Sequence, residues 1–206
     1  SLVFSDPPLH TRVRKIMTSA LTPRAIGRME AGLVETVDHL LDAMEGREEV
    51  DLIEDFASTI PIQIIGNLLD VPMEERGPLR DWSLAILGAL EPALSDEELK
   101  RGHKAVEEFK DYLTDLIARR RAQPGDPETD VLTRLIRGEG ADEQLSEIEL
   151  IQNCIFILNA GHETTTTLIG NGLALLNDHP DQRARLQADP ELIKPAVEGM
   201  LWMRSP

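Results

Sequence analysis

Cysteine is almost missing from this chain of 206 residues: Cys154 is the single one. An internal disulfide is therefore excluded, and the composition suits a reducing, cytoplasmic setting. Aromatic residues make up only 3%, so Leu, Ile, Val and Ala must do the packing. Positive charge is also scarce. Lys and Arg number 21 against 37 Asp and Glu, a formal net charge of −16. That balance argues against nucleic acid or an anionic membrane surface as a partner, since both attract cations. No apolar run approaches the roughly 20 residues of a membrane-spanning helix, and no signal peptide is visible at the N-terminus. Alternation of β-branched and polar residues, the mark of a strand, does not occur over any usable length. Internal repeats and low-complexity segments are absent as well. The chain begins at Ser1 and stops at Pro206; both ends look cut.

What is present is helical periodicity. With 41% hydrophobic residues the chain can bury a real core, and the expected fold class is all-α, as a single helical region over residues 1–206. Apolar residues recur at three- and four-residue steps from Ile26 through Leu33 and Val37 to Met44, with Gly46 as the stop. A further helical stretch runs from Val50 to Val71, where Pro61 kinks it or, by preference, begins its second part. Gly66 reads as a close helix contact. Ser95, followed by Asp96, Glu97 and Glu98, opens a helix expected to reach about Arg121, ending in the solvated cations Arg119, Arg120 and Arg121. Asp130 to Ile136 forms a short helix, and Gly138 to Glu143 a polar loop. Ser146 with Glu149 makes a capping box for the longest element, a helix from about Ser146 to Asn177.

That long helix contains a local contradiction. Its middle reads Asn159-Ala160-Gly161-His162-Glu163-Thr164-Thr165-Thr166-Thr167. Gly costs about 1 kcal/mol against Ala in a helix, and threonines are poor helix formers. The Thr164 hydroxyl can bond back to the Ala160 carbonyl, which predicts a bend or opening beside the Glu163 carboxyl. A defect flanked by apolar turns marks a candidate functional site. Zinc is excluded there, because an H-E-x-x-H pattern starting at His162 closes on Thr166. Cys154 lies eight residues from His162, about 12 Å along a helix, too far to share a metal.

A second constellation lies near the start. Asp6 is a plausible helix cap with Pro7 at the first helical position. His10 and Arg14, spaced i and i+4, lie on one side of the helix that follows. The alternative reading is a basic solvent-facing helix, since Arg12 and Lys15 are also there.

Together these patterns resemble the cytochrome P450 family. Residues 160–165 resemble its distal-helix motif (A/G)-G-x-(D/E)-T-(T/S). Residues 6–14 and Leu21-Thr22-Pro23 resemble D-P-P-x-H-x-x-x-R followed by F-T-P, with Leu21 in place of the aromatic. Asp51-Leu-x-x-Asp-Phe, Asp130-x-Leu-x-x-Leu-Ile and His179-Pro180 follow in register. The resemblance implies the helical portion of that fold, with one long central helix, and heme b as cofactor. It implies Glu163 and Thr164 as the acid–alcohol pair of catalysis, Ala160 and Gly161 as the heme-facing groove, and His10 and Arg14 as contacts to the heme propionates. It further implies a bacterial, soluble type of monooxygenase that hydroxylates an apolar small molecule and takes electrons from a ferredoxin or similar redox partner.

Two departures keep an alternative open. Where the family reads E-x-x-R, this chain has Gly199 and Trp202; Glu198 is followed three residues on by Leu201, and Arg204 falls on the opposite side of the helix. The chain also stops before the family's F-x-x-G-x-x-x-C loop and lacks its N-terminal β-rich part, so the resemblance covers a central, truncated segment without the axial thiolate. The alternative is a degenerate, heme-free helical binding or interaction module. In either case helix faces normally covered would be exposed, favouring association of copies.

Overall fold

The computed structural model describes residues 2–127, 130–138 and 144–203, and contains no strand among them. Ten α-helices form the fold: α1 (Leu9–Ala20), α2 (Pro23–Gly27), α3 (Glu30–Met44), α4 (Thr59–Leu68), α5 (Leu79–Gly88), α6 (Asp96–Ala122), α7 (Val131–Arg137), α8 (Glu147–Asp178), α9 (Pro180–Ala188) and α10 (Ile193–Met203). Several begin on the polar residue that the sequence marks. Ser95 and Ser146 each close a full capping box, with Glu98 and Glu149 respectively. Thr22 caps α2 and Asp130 caps α7 through side-chain acceptance of backbone N–H groups. Gly46 and Gly138 take positive φ, 76° and 64°, just past α3 and α7, where an L side chain would be strained.

Three boundaries differ from expectation. Helix α1 starts at Leu9 and has no side-chain cap, although the Asp6 carbonyl accepts from His10 N at 3.0 Å. The stretch expected as one helix to Met44 is two, broken at Arg28 and Met29. The stretch from Val50 begins as a π-helical turn, Leu52–Ala57, capped by Asp51, and α4 starts at Thr59 with Pro61 in its first turn. Pro61 is tolerated there because its missing N–H would be unsatisfied in any case.

The core gathers between α4, α5, α6, α7 and α8. Phe109, Leu113 and Ile117 of α6 meet Leu79 of α5, Leu69, and Leu150 and Leu158 of α8, all at most 1% exposed. Close approaches are set by small residues. A Cβ on Gly102 would lie 2.3 Å from the Cβ of Ala89, which fixes how nearly α6 crosses the end of α5. At Gly66 the neighbour is the Arg76 guanidinium, 2.5 Å from the position a Cβ would take. Arg76 is buried and has neutral acceptors on all sides: Val71 O at 2.9 Å, Gln63 Oε1 at 2.7 Å, Gln63 O at 3.2 Å and Asn67 Oδ1 at 2.8 Å. Burial lowers its pKa below the usual arginine value.

The scarce aromatics are concentrated. Trp82 of α5 stacks on Phe109 of α6 at a centroid distance of 5.0 Å, and Tyr112 completes the cluster 5.7 Å from Trp82. The Tyr112 hydroxyl donates to Glu75 Oε2 at 2.6 Å, and Arg119 holds both oxygens of the same carboxylate, at 2.9 and 2.8 Å. The Arg119 bonds, and then the Tyr112 bond, hold Glu75 below the ordinary carboxyl range. The end of α6 is therefore not simply solvated, as its sequence suggests. Arg119 pairs with Glu75, Arg120 with Asp70 and Asp130, and Arg121 with Glu147 at 2.9 Å, so three consecutive cations tie α6 to separate segments.

Candidate active site

Helix α8 carries the site, and it is unbroken. The expected opening at Gly161 and the threonines does not occur: residues 147–178 are α-helical throughout. The hydroxyls of Thr164 and Thr166 bond back to the carbonyls of Ala160 and His162, at 2.8 and 2.9 Å, without displacing the helix ladder. The helix is held on both sides of this point by buried turns, Leu150, Ile151, Cys154 and Leu158 before it and Leu175 after it. Tertiary packing outweighs propensity here.

Residues 159–164 turn different sides to different surroundings. His162 is buried at 1% exposure and faces α5, where its Nδ1 lies 3.1 Å from Ser83 Oγ. Gly161 faces α4: a Cβ there would be 3.1 Å from Ile65 Cδ1. It therefore lets α8 approach α4 closely. Ala160, Glu163 and Thr164 are exposed and line an open groove of about 500 Å³. Apart from Gln152 and Asn159 its other walls are apolar: Ile86 and Leu87 from α5, Leu90 beyond it, Val106 from α6, and Ile155 and Phe156 from α8. Asn159 stands in the wall with its Nδ2 donating to Ile155 O at 2.9 Å.

His10 and Arg14 bound an adjoining cavity of about 460 Å³ that shares Val3 and Phe156 with the groove. The two thus adjoin, with His10 and Arg14 lining the one and Ala160, Glu163 and Thr164 lining the other. The basic side chains of α1 differ in what they do. Arg12 is tied to Glu149 and to Gln144 O, fixing α1 against the start of α8. His10 and Arg14 have no ion-pair partner among the described residues. The basic helix is therefore not a uniform solvent-facing stripe. The short 3₁₀ turn Leu2–Phe4 closes the seam between cavity and groove, anchored by Leu2 N donating to Asn153 Oδ1 at 3.2 Å.

Cys154 is fully buried on α8, and burial pushes its thiol up to about 12. It is neither a nucleophile nor a ligand at neutral pH. No group of three or more His, Cys, Asp or Glu able to hold a metal ion occurs among the described residues. No described helix is long and apolar enough to cross a membrane.

At the far end of α8, Gly199 borders a separate cavity of about 280 Å³, and Trp202 is 89% exposed on α10. Helix α10 is held to α8 by Met200, whose sulfur lies where a Cβ of Gly172 would meet it at 2.9 Å. At the two positions of the expected acid–base pair, Gly199 has open space where a Cβ would stand and Trp202 points to the surface. Arg204 lies outside the described residues.

Sequence reasoning missed two residues of this site: Ser83, and Val3 with its turn. Neither has a local signal, because each acquires its place only when α5 and the N-terminal turn dock on α8.

Comparison with known proteins bears on the family and the fold. A family model for cytochrome P450 matches residues 84–195. Cytochrome P450 107B1 of Saccharopolyspora erythraea is 39% identical over 205 residues, covering 100% of this chain and 48% of that protein. The vitamin D(3) 25-hydroxylase of Pseudonocardia autotrophica is 37% identical over 206 residues, covering 100% of this chain and 49% of that protein. Among solved structures, P450BioI in complex with acyl carrier protein ligated by hexadec-9Z-enoic acid superposes with a TM-score of 0.92. It is 33% identical, over 100% of this chain and 52% of that one. The chain spans about half the length of the curated relatives it matches.

Proposed function

Because this chain belongs to the cytochrome P450 family, we propose that it forms the oxygen-side wall and substrate cover of a heme-thiolate monooxygenase acting on an apolar small molecule. The observation that carries the reading is two adjoining hollows, one lined by His10 and Arg14, which have no ion-pair partner among the described residues, and the other by the acid–alcohol pair Glu163 and Thr164.

The residues fit a heme. A guanidinium and an imidazole at one end suit two propionate carboxylates, with Arg14 able to present a bidentate fork. Ala160 leaves space on the α8 face, and the aliphatic walls suit a porphyrin edge and an apolar substrate. When bound, heme supplies the redox and oxygen chemistry. The chain supplies positioning and protons. His10 and Arg14 would hold the propionates. Glu163, exposed on the groove rim, takes up a proton from solvent and delivers it on the Thr164 side. The Thr164 proton rests on Ala160 O, so the lone pairs of Thr164 Oγ1 remain free to accept a further hydrogen bond. Ile86, Leu87 and Ile155 exclude bulk water from the far wall.

The axial thiolate does not come from Cys154, which is buried within α8. Electrons would arrive from a ferredoxin or a similar protein. The exposed apolar residues Val197, Leu201 and Trp202 of α10 suit association with a second copy. A cytoplasmic location is part of this proposal, and the single cysteine suits it. The test is a pyridine hemochrome assay and a carbon monoxide difference spectrum on the full gene product. Stoichiometric heme with a carbon monoxide shift of the Soret band is expected; a colourless protein with no Soret band overturns the reading.

A second reading rests on Gly199 and Trp202. With no Glu–Arg pair on α10, the chain would serve as a heme-free helical binding or interaction module. Losing both partners of a buried pair can be close to neutral for folding, so this reading predicts a stable colourless protein. Stoichiometric heme uptake by a protein of these 206 residues would end it.

A further inference from the structure

We propose that His162 is a positioning residue: through Ser83 it sets the spacing of α5 from α8, and with it the width of the groove above Ala160 and Thr164. The inference deepens the reading of the groove as an apolar-ligand site and rests on it for its consequence, though not for its geometry.

Both partners are buried, Ser83 at 0% and His162 at 1% exposure, and they are 79 residues apart in sequence. Their 3.1 Å hydrogen bond joins the two helices that face each other across the groove. On α5, Leu87 lies one turn beyond Ser83, on the same side, and lines the groove; Ile86 lines it too. On α8, Glu163 follows His162 directly, and Ala160 and Thr164 flank it. Any change in the Ser83–His162 separation is therefore transmitted within one helical turn to the residues that line the groove on both sides.

The environment favours the neutral ring. His162 Nε2 is buried and has no partner among the described residues. Each neutral tautomer makes the one bond to Ser83: with the proton on Nδ1 the ring donates to Ser83 Oγ, and with the proton on Nε2 the Ser83 hydroxyl donates to Nδ1. In either case the bond between the two buried side chains is kept, whereas a charged ring would bring a second, unmet donor into the core. A hydrophobic residue at either position would fill the space but would leave the approach of α5 to packing alone.

The experiment is a double-mutant cycle of Ser83→Ala and His162→Phe on the 206-residue chain, with amide hydrogen exchange as the first readout and calorimetric titration of cis-9-hexadecenoic acid as the second. Each single variant should speed exchange at residues 84–88 and weaken fatty-acid binding by about fivefold, the worth of one net hydrogen bond. Exchange at residues 109–117 of α6 should not change. The double variant should be no worse than the more affected single variant, because both remove one interaction. Additive losses, or exchange accelerated equally in α5 and α6, overturn the inference. Ser83→Ala removes only a hydroxyl, so if His162→Phe does not fold, localised exchange in Ser83→Ala decides alone. If the unsubstituted chain takes up no fatty acid, the groove reading is what fails, and the exchange arm still decides the role of His162.

Discussion

The Thr164 hydroxyl donates to the carbonyl oxygen of Ala160, 2.8 Å away and one turn earlier on α8. The bond has two consequences. It satisfies a polar side chain on an otherwise apolar groove floor, and it fixes which way the hydroxyl faces. A donor whose proton is already placed can only accept from whatever enters the groove. Together with the exposed carboxyl of Glu163, it gives the site a fixed acceptor and a group that exchanges protons with water.

Removing that arrangement should separate chemistry from folding. In the full gene product, Thr164→Val and Glu163→Gln should each lower product formation on the order of 10²-fold, at the lower end of what a positioned proton-transfer group contributes. Both residues are exposed, so thermal unfolding should move little. Turnover per heme, set beside a melting curve, checks this. Unchanged turnover in both variants would remove these residues from the mechanism.

Heme retention should depend on α1 in a selective way. His10→Ala and Arg14→Ala should each weaken heme affinity about tenfold or more, since a hydrogen bond to a charged group is worth roughly 1.5–3 kcal/mol. Arg12→Ala should instead lower stability, because Arg12 is bound to Glu149 and Gln144. Hemin titration and chemical unfolding of the three variants separate the two roles. Equal heme loss in all three would mean a merely basic face.

Gly66→Ala should destabilise the fold. A methyl there would lie 2.5 Å from Arg76 Nε and 2.8 Å from its Cζ, and the guanidinium is held by four acceptors on three residues. Overpacking of this kind costs about 1–3 kcal/mol. Urea unfolding of G66A against the parent measures it. An Arg76→Met background should relieve part of the loss, because the clash is with that side chain.

His162 should give the protein an acid-side instability. Burial, and secondarily the positive charge of Arg80, lowers its pKa below the ordinary 6.5. In the unfolded chain the ring takes up a proton first as pH falls, so the unfolded state gains and stability drops. Above about pH 6.5 this group adds no pH dependence; below it, stability should fall by up to roughly 1.4 kcal/mol per pH unit until the folded form is protonated too. Unfolding free energies of the parent and His162→Phe across pH 5–8 test the sign. The slope below 6.5 should be shallower in the variant; parallel curves would show that the ring is not neutral in the fold.

Much of this was legible in the residues themselves. The capping boxes at Ser95 and Ser146 are local hydrogen-bond patterns, and a local pattern needs no tertiary partner to be recognised. The i, i+4 spacing of His10 and Arg14, and the Ala160-to-Thr165 run, likewise carry their meaning within two turns of helix. Other features were not legible. Arg119, Arg120 and Arg121 read as a solvated helix end and are three tethers to segments that are distant in sequence. That a Cβ on Gly161 would meet Ile65 of α4 was not legible either, because the helical phase between neighbouring residues is about 100° and the surrounding helices decide what each side meets.

The residues alone determined that the chain is helical, where its longest helix begins and ends, and which chemical groups it carries near residues 10 and 163. Those properties follow from short-range periodicity and capping. The tertiary structure alone decided that Phe156 and Val3 stand between two adjoining hollows, that Ser83 meets His162, and that the threonine run stays helical. These depend on contacts between elements many residues apart, where the free energy of burying apolar surface overrides local preference.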